Sequence, residues 1–120
     1  MTILEAIHQI DSQRHNTCTQ AQKTAWLSSL DAMVAKLILE PCNGPAEFAG
    51  YDDATSPDTP LLVPAPFDEV YRYWLEARID YQNGEYSRYN NSNAMFDAAW
   101  QRYADYRNRT APAGGSSRFF

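Results

Sequence analysis

The side chains that could bind a transition metal or act as a nucleophile are few and poorly spaced. The soft ligands are His8, His15, Cys18 and Cys42. A structural zinc site uses four ligands in closely spaced pairs, and only His15 and Cys18 form such a pair. Cys42 has no basic activator near it in the sequence. We therefore predict no metal site and no catalytic residue, and we interpret both thiols as idle ones in a reducing compartment.

The carboxylates suggest a second kind of chemistry. Charged residues at every fourth position form one stripe on a predicted helix: Asp68, Arg72, Glu76 and Asp80. Paired carboxylates can serve as general acid and base, but an arginine among them favours a solvent-exposed salt-bridge ladder. An enzyme that uses Glu76 and Asp80 is kept as a rival, to be rejected if both point into solvent. Three further acids, which lack the spacing of an EF-hand loop, are interpreted as solvated turn residues: Asp52, Asp53 and Asp58.

Length and charge exclude further classes of protein. The chain has 120 residues, enough for one domain. Its pI near 4.8 argues against sequence-independent nucleic-acid binding, which depends on excess Lys and Arg. No apolar run approaches 18 residues, and we expect no membrane contact. The first residues have neither a basic nor an apolar region of the kind that secretory signals carry, so we expect no signal peptide.

Four amphipathic segments predict an all-α fold, a small bundle of about four helices. The predicted ranges are 2–14, 19–40, 67–83 and 85–109. Thr2 followed by Glu5 is a capping-box signal for the first helix, and Gly84 suits the left-handed end of the third. Seven residues of the last helix form a seam with a heptad period: Tyr86, Tyr89, Asn93, Phe96, Trp100, Tyr103 and Arg107. Its length suggests that this helix protrudes or packs against another chain.

The helices are interrupted by a proline-rich loop and followed by a tail. Six of the seven prolines lie in 41–66, which excludes a helix there. We interpret this loop as a docking arm within a domain of residues 1–109, with 61–63 as a possible strand. Its apolar anchors are the predicted subunit interface: Phe48, Tyr51, Leu61, Leu62 and Val63. Residues 110–120 are predicted to be a flexible tail, whose last residues are an unusual aromatic pair after a base: Arg118, Phe119 and Phe120.

Residues 51–109 resemble the head–tail connector proteins, also called adaptor or head completion proteins, of tailed bacteriophages and prophages. The resemblance lies in LLVP-x-PFDEVY and in EARIDYQNGEYSRYNNSNAMFDAAWQRYADYRNR, with ILEAIHQID and AWLSSLDAMV fitting the N-terminal pattern. It implies core positions at Trp74, Tyr81, Tyr89, Phe96 and Trp100, and turn or cap positions at Asp80, Gly84, Asn90 and Asn91. It also implies a structural virion protein of the neck, with no enzymatic activity and no cofactor.

The expected assembly is a homo-oligomeric ring, a dodecamer in the virion, which sits beneath the portal protein. Such a ring supports a stopper or tail protein and lets DNA pass without binding it specifically. An acidic chain suits that role, because negative charge repels phosphate. The subunit would reside in the host cytoplasm until assembly. The family's C-terminal segment commonly reaches the portal, which here implies a portal contact by Arg118, Phe119 and Phe120.

Two other interpretations stay open beside the enzyme. One is a neighbouring neck protein, such as a stopper or tail completion protein, although those tend to be rich in β-structure. The other is a small helical regulator that binds one partner through its aromatic helix. Light scattering on the purified protein separates rings from a small fixed complex.

Overall fold

The computed structural model describes residues 1–42 and 47–110, and this part of the chain confirms the predicted all-α fold. Its α-helices are α1 (Ile3–Gln13), α2 (Gln20–Met33), α3 (Glu69–Gln82) and α4 (Tyr86–Thr110). The second predicted helix does not stay α-helical to its end. After α2 it continues as a π-helical segment, Val34–Leu39, and a 3₁₀ turn, Glu40–Cys42. In the π-helical segment hydrogen bonds span five residues, as in the bond from the Glu40 N–H to the Ala35 carbonyl.

The predicted capping box begins α1. The Thr2 hydroxyl oxygen accepts the Glu5 N–H at 3.2 Å, and Glu5 Oε1 accepts the Thr2 N–H at 2.8 Å. The backbone N–H of Thr2 holds the pKa of Glu5 below its usual value, because the hydrogen bond favours the ionised carboxylate. Two of the otherwise unpaired donors at this helix end are thereby satisfied.

Gly84 ends α3 as predicted and reverses the chain into α4. Its φ of +73° lies in the left-handed region. The N–H of Glu85 donates to the Asp80 carbonyl at 2.9 Å, and the N–H of Gly84 donates to the Tyr81 carbonyl at 3.1 Å. This closing pattern is typical of glycine-terminated helices. It makes α3 and α4 an antiparallel hairpin.

α3 is the central helix, and it packs against α4, α2 and α1. Its residues Tyr71, Leu75 and Ile79 are fully buried. The core is completed by apolar residues of the other helices and of the loop: Ile3, Ile7, Ile10, Leu27, Leu30, Val34, Val63 and Tyr103. Each helix thus presents one apolar stripe to α3, which is the arrangement that the sequence spacing predicts.

Some positions assigned from the family pattern differ from expectation. Tyr81 is 60% exposed and is not a core residue. Asp80 lies inside α3 and is buried, while Asn90 and Asn91 lie within α4 on its exposed surface. Of the predicted turn positions, Gly84 is the one that occupies a turn.

Residues 47–68 form no helix, and they close over α1 and α2. The N–H of Ile3 donates to the Thr59 carbonyl, and the N–H of Leu4 donates to the Pro57 carbonyl, both at 3.1 Å. These bonds satisfy donors at the start of α1 that have no partner within the helix. Residues 43–46, which belong to the predicted arm, lie outside the described part of the chain.

The expectation of a strand at 61–63 is wrong. Within the described ranges the bridge between Thr2 and Pro60 is the one β-type pairing, and it is isolated. Pro60 and Pro64 flank the segment, and neither has an N–H to donate to a ladder. The prolines therefore prevent these apolar residues from extending into a sheet.

Candidate protein-interaction surface

Asp31 of α2 fixes the path of the loop. Its side chain is fully buried. Oδ2 accepts the Tyr51 hydroxyl at 2.6 Å and the Leu62 N–H at 3.1 Å, and Oδ1 accepts the Tyr71 hydroxyl at 2.6 Å. One carboxylate thus joins α2, α3 and two separate points of the loop.

The Tyr71 hydroxyl extends this network by one bond. It accepts the Val63 N–H at 2.7 Å while it donates to Asp31. Burial raises the pKa of Asp31, although the two tyrosine hydroxyls and the Leu62 N–H partly oppose the shift. Burial, together with the nearby Asp31 carboxylate, also raises the pKa of Tyr71. The network is buried and internally paired, and its bonds hold the loop against α2 and α3.

The predicted salt-bridge ladder on α3 is not at the surface. Glu76 is 4% and Asp80 is 1% exposed. Arg14 Nε lies 3.0 Å from Asp80 Oδ1, and its Nη2 lies 3.7 Å from Glu76 Oε1. Ser92 donates to Asp80 at 2.8 Å, and Arg72 Nε lies 3.0 Å from Glu76 Oε2.

The predicted pairing of Arg72 with Glu76 is present, but the expected solvent exposure of the stripe is wrong. Spacing within one helix could not reveal Arg14, which directly follows α1 and covers both carboxylates. The enzyme hypothesis was to be rejected if Glu76 and Asp80 faced solvent. Both are buried, so that hypothesis is not rejected on this ground. Each carboxylate nevertheless has a charged or hydroxyl partner and is withdrawn from solvent. This arrangement is typical of a buried structural ion network, in which every charge is compensated.

A second buried charge joins α1 to α2. Lys23 is 4% exposed, and its Nζ lies 2.6 Å from Asp11 Oδ1. Burial disfavours the ionised form of Asp11, but the Lys23 ammonium and the Asn16 amide outweigh it and hold the pKa of Asp11 below its usual value. This pair is a structural contact of the same kind.

An open cleft lined by aromatic rings lies between α2 and the α3–α4 hairpin. We call it the tyrosine cleft, and its lining residues are Trp26, Arg78, Tyr81, Gln82 and Tyr89. Its volume is about 370 Å³. The ring of Tyr81 contacts the rings of Tyr89 and Tyr86 edge to face, with centroids 5.4 and 5.7 Å away. Tyr81 and Tyr86 are each 60% exposed to solvent, which is a large amount of accessible aromatic surface for one helical hairpin.

Two side chains at the base of the tyrosine cleft, Arg78 and Trp74, are held by contacts with their neighbours. The Arg78 guanidinium lies 4.4 Å from the centroid of the Trp74 ring, and its Nε is buried without a hydrogen-bond partner. Trp74 donates its indole N–H to the Trp26 carbonyl at 2.8 Å. A cation held on an aromatic face is presented in a fixed position, where it can pair with a carboxylate.

A second, more apolar depression lies further along the same face. We call it the apolar groove, and its lining residues are Met33, Leu37, Phe96, Asp97 and Trp100. Leu37 is 61% exposed. The rings of Trp74, Phe96 and Trp100 connect the groove to the cleft, with successive centroids 5.1 and 5.9 Å apart. The aromatic seam predicted for the last helix therefore divides between core and surface.

The loop carries a third surface, which we call the acidic loop, residues 52–58. Asp52, Asp53 and Asp58 are exposed, as predicted for solvated turn residues. Asp52 and Asp53 lie beside Gln20 and Thr24 of α2. At about 100° per residue, these α2 positions lie on roughly the opposite side of the helix from Trp26 and Met33. The acidic loop and the tyrosine cleft therefore face in different directions.

The five loop residues predicted to form a subunit interface have different environments. Leu61 and Val63 are buried in the chain's own core. Phe48, Tyr51 and Leu62 are half-buried, and the rings of Phe48 and Tyr51 meet edge to face at 4.9 Å. The surface left for a neighbour at these positions thus comes from Phe48, Tyr51 and Leu62, and their interface role stays a prediction.

The remaining candidates are dispersed. His8 and His15 are exposed, Cys18 is half-buried, and Cys42 is buried with its thiol 3.5 Å from Asn108 Oδ1. Across residues 1–42 and 47–110, no three His, Cys, Asp or Glu side chains are grouped to hold a metal ion. In that same part of the chain no helix is long and apolar enough to cross a bilayer. The predicted portal-contacting residues, Arg118, Phe119 and Phe120, lie outside it.

The comparisons with known proteins give no match: no protein-family model, no curated protein and no solved structure is similar to this chain.

Sequence reasoning missed Asp31, whose carboxylate joins α2, α3 and the loop. Asp31 lies among the apolar residues of α2, between Leu30 and Val34, which are both fully buried. An acid on an apolar helix face is a signal for a buried, paired carboxylate. Its partners could not be inferred, since they lie 20, 31 and 40 residues further along the chain.

Proposed function

We propose that this chain is a head–tail connector subunit of a tailed bacteriophage or prophage, a structural protein of the virion neck. Copies would form a ring, a dodecamer in the virion, that sits beneath the portal and extends the DNA channel towards a stopper or tail protein. The resemblance of residues 51–109 to that family is the source of the proposal. It requires neither a catalytic group nor a cofactor.

The observation that carries the proposal is that two different surfaces lie on roughly opposite sides of α2. A closed ring needs a heterologous interface, in which one patch of a subunit meets an unlike patch of the next. The tyrosine cleft offers exposed rings and the fixed cation of Arg78. The acidic loop offers the exposed carboxylates of Asp52 and Asp53. The two patches are complementary in charge, and each subunit can use both at once.

The net charge supports the same assignment. Residues 1–66 contain 8 acids and 3 bases, whereas residues 67–120 contain 7 of each, and every base there is arginine. An acidic half that meets a neutral, arginine-bearing half favours head-to-tail association over pairing of like surfaces. The net charge of −5 also keeps DNA phosphate from adhering to a channel.

The direct test is to image the purified protein by negative-stain microscopy, alone and mixed with the portal protein from the same genome. We expect rings, either at high protein concentration or on the portal. Light scattering should show monomers in exchange with a large assembly. A fixed dimer or small complex under all conditions, with no binding to the portal, would instead favour the partner-binding regulator.

A surface variant tests the tyrosine cleft. Tyr81→Ser combined with Tyr86→Ser should abolish rings while leaving the unfolding midpoint nearly unchanged, because both side chains are mostly exposed. Met95→Ser, which removes another exposed apolar residue outside the cleft, is the matched control and should still assemble. Normal rings from the double tyrosine variant would exclude the cleft as an interface.

A further inference from the structure

We infer that the apolar groove is the binding site for the chain's own C-terminal segment, with Phe119 or Phe120 inserted between Leu37 and Trp100. This intrachain contact is separate from the ring interface proposed above, which uses the tyrosine cleft and the acidic loop. It assigns an occupant to an apolar surface that the helices leave uncovered.

The groove has the size and lining that an aromatic ring requires. Its volume is about 200 Å³, and apolar side chains from α2, the π-helical segment and α4 form its walls. A closed cavity of about 150 Å³ is enough to hold one benzene ring. Leu37, which projects from the π-helical segment at 61% exposure, would be covered by such a ring. The site therefore accepts one phenylalanine side chain.

The negative charge beside the groove complements the positive charge of the C-terminal segment. Among the residues that the structure describes, Asp97 is the one charged residue that lines the groove, and it is exposed. Arg118 directly precedes the two phenylalanines. A chain that inserts Phe119 into the groove brings the Arg118 guanidinium to the rim, within reach of Asp97. Arginine and carboxylate form strong paired hydrogen bonds.

The chain is long enough to make the contact within one molecule. Trp100 and Arg107 lie on the same face of α4, so the helix leads from the groove to its own end at Thr110. The distance from Trp100 to Thr110 along the helix is about 15 Å. The eight residues 111–118 can span at most about 26–29 Å when extended. Gly114 and Gly115 supply the backbone freedom that a reversal of direction requires.

The three methionines provide a site-specific probe. Met33 lines the groove, whereas Met1 and Met95 do not. We would record the ¹³C-methyl NMR spectrum of methionine-labelled full-length chain in the Tyr81→Ser, Tyr86→Ser background. These two substitutions lie outside the groove and suppress the proposed rings. The result then concerns the tail alone, whether or not the ring proposal is correct.

We expect Phe119→Ser combined with Phe120→Ser to shift the Met33 methyl signal to the position that it has in a chain truncated after Thr110, because a ring current is lost. The Met1 and Met95 signals should not move. The difference should be independent of protein concentration, as an intramolecular contact requires. An unmoved Met33 signal would overturn the inference, and a shift that disappears on dilution would show that the tail binds a second copy instead.

Charge reversal tests the rim contact separately. Asp97→Arg should shift the Met33 signal towards its position in the truncated chain, and the addition of Arg118→Asp should restore it. Asp53→Arg, a reversal at the acidic loop, is the matched control and should leave Met33 unaffected. Failure of the double reversal to restore the signal would exclude the pairing of Arg118 with Asp97.

Discussion

At the scale of single residues, the fold depends on carboxylates that are buried and paired. Asp31 binds two tyrosine hydroxyls and one backbone N–H, and no solvent reaches it. Asp80 of α3 binds Arg14, which directly follows α1, and Ser92 of α4 in the same way. Such groups contribute little net attraction, but the loss of one partner leaves another polar group buried and unsatisfied.

Replacement of the Asp31 carboxylate by an amide should destabilise the protein in a pH-dependent manner. In Asp31→Asn, one oxygen becomes an NH₂ group that faces a donor, so unfolding should become easier by about 1–3 kcal/mol near neutral pH. Burial raises the native pKa of Asp31 above its ordinary value of 3.8. Because the native pKa is raised, the folded state binds the proton more tightly than the unfolded state does. The wild-type protein therefore gains stability as the pH falls from neutral towards the ordinary pKa of 3.8.

The cost of Asp31→Asn should therefore be larger near pH 4 than near pH 7. Urea unfolding of both proteins at the two pH values measures the difference. Asp53→Asn, at an exposed carboxylate, is the control and should cost little at either pH. A cost that falls on acidification would contradict the raised pKa.

At the scale of elements, the α3–α4 hairpin depends on one left-handed residue. An added Cβ at Gly84 meets no atom within 4 Å, so substitution there is not opposed by a clash. The φ of +73° remains unfavourable for any residue with a side chain. Gly84→Ala should therefore cost about 1–2 kcal/mol from backbone conformation alone.

A substitution by asparagine distinguishes the cost of the left-handed backbone conformation from other effects of a side chain at position 84. Because it tolerates the left-handed region better than alanine, Gly84→Asn should be more stable than Gly84→Ala. Thermal unfolding of the three proteins would rank them. Equal midpoints for glycine and alanine would mean that the chain reversal is held by the packing of the helices and not by Gly84.

The helices were predictable, because their signals are local. Thr2 with Glu5, and Gly84 after α3, lie within a few residues of the ends that they define. The π-helical segment Val34–Leu39 was not predictable, because its residues carry the same apolar spacing as an α-helix. The surfaces were only partly predictable. The aromatic seam was visible in the sequence, but which of its rings face solvent depends on where α2 packs.

At the scale of the whole molecule, the described part of the chain is a flat body with principal extents of 46 × 34 × 19 Å. The shortest extent corresponds to about two layers of helices, whose axes pack 8–10 Å apart. The 25 residues of α4 make a helix about 37 Å long. A thin subunit has large faces relative to its core, which suits contact with two neighbours.

Reversal of the charge on the acidic loop should prevent ring formation. Asp52→Lys combined with Asp53→Lys would place two cations opposite Arg78 of the neighbouring subunit in the proposed interface, and like charges repel. Both residues are exposed, but Asp52 Oδ1 also accepts the Ala54 N–H at 2.8 Å and so holds the turn. Asp53→Lys alone, which leaves this turn intact, should therefore weaken assembly in the same direction. Sedimentation velocity at low and high salt measures assembly. Wild-type rings should weaken as salt screens the attraction.

The control for this experiment is Glu85→Lys combined with Asp105→Lys, which makes the same charge change at exposed positions outside the acidic loop. Assembly of this control with failure of the loop variant would locate the contact. Equal failure of both would indicate that total charge governs association and not the acidic loop.

The bonds of Asp31 also bear on the order in which the chain folds. They join residues separated by 20, 31 and 40 positions, and contacts of such separation form slowly because long chain segments must first be closed. The loop that carries Asp52 and Asp53 is therefore expected to be fixed late in folding, because its bonds to Asp31 through Tyr51 and Leu62 need α2 to be in place first. A nascent chain would then lack one half of the proposed interface until that loop is fixed. If the chain does form rings, this order would delay association between incompletely folded subunits.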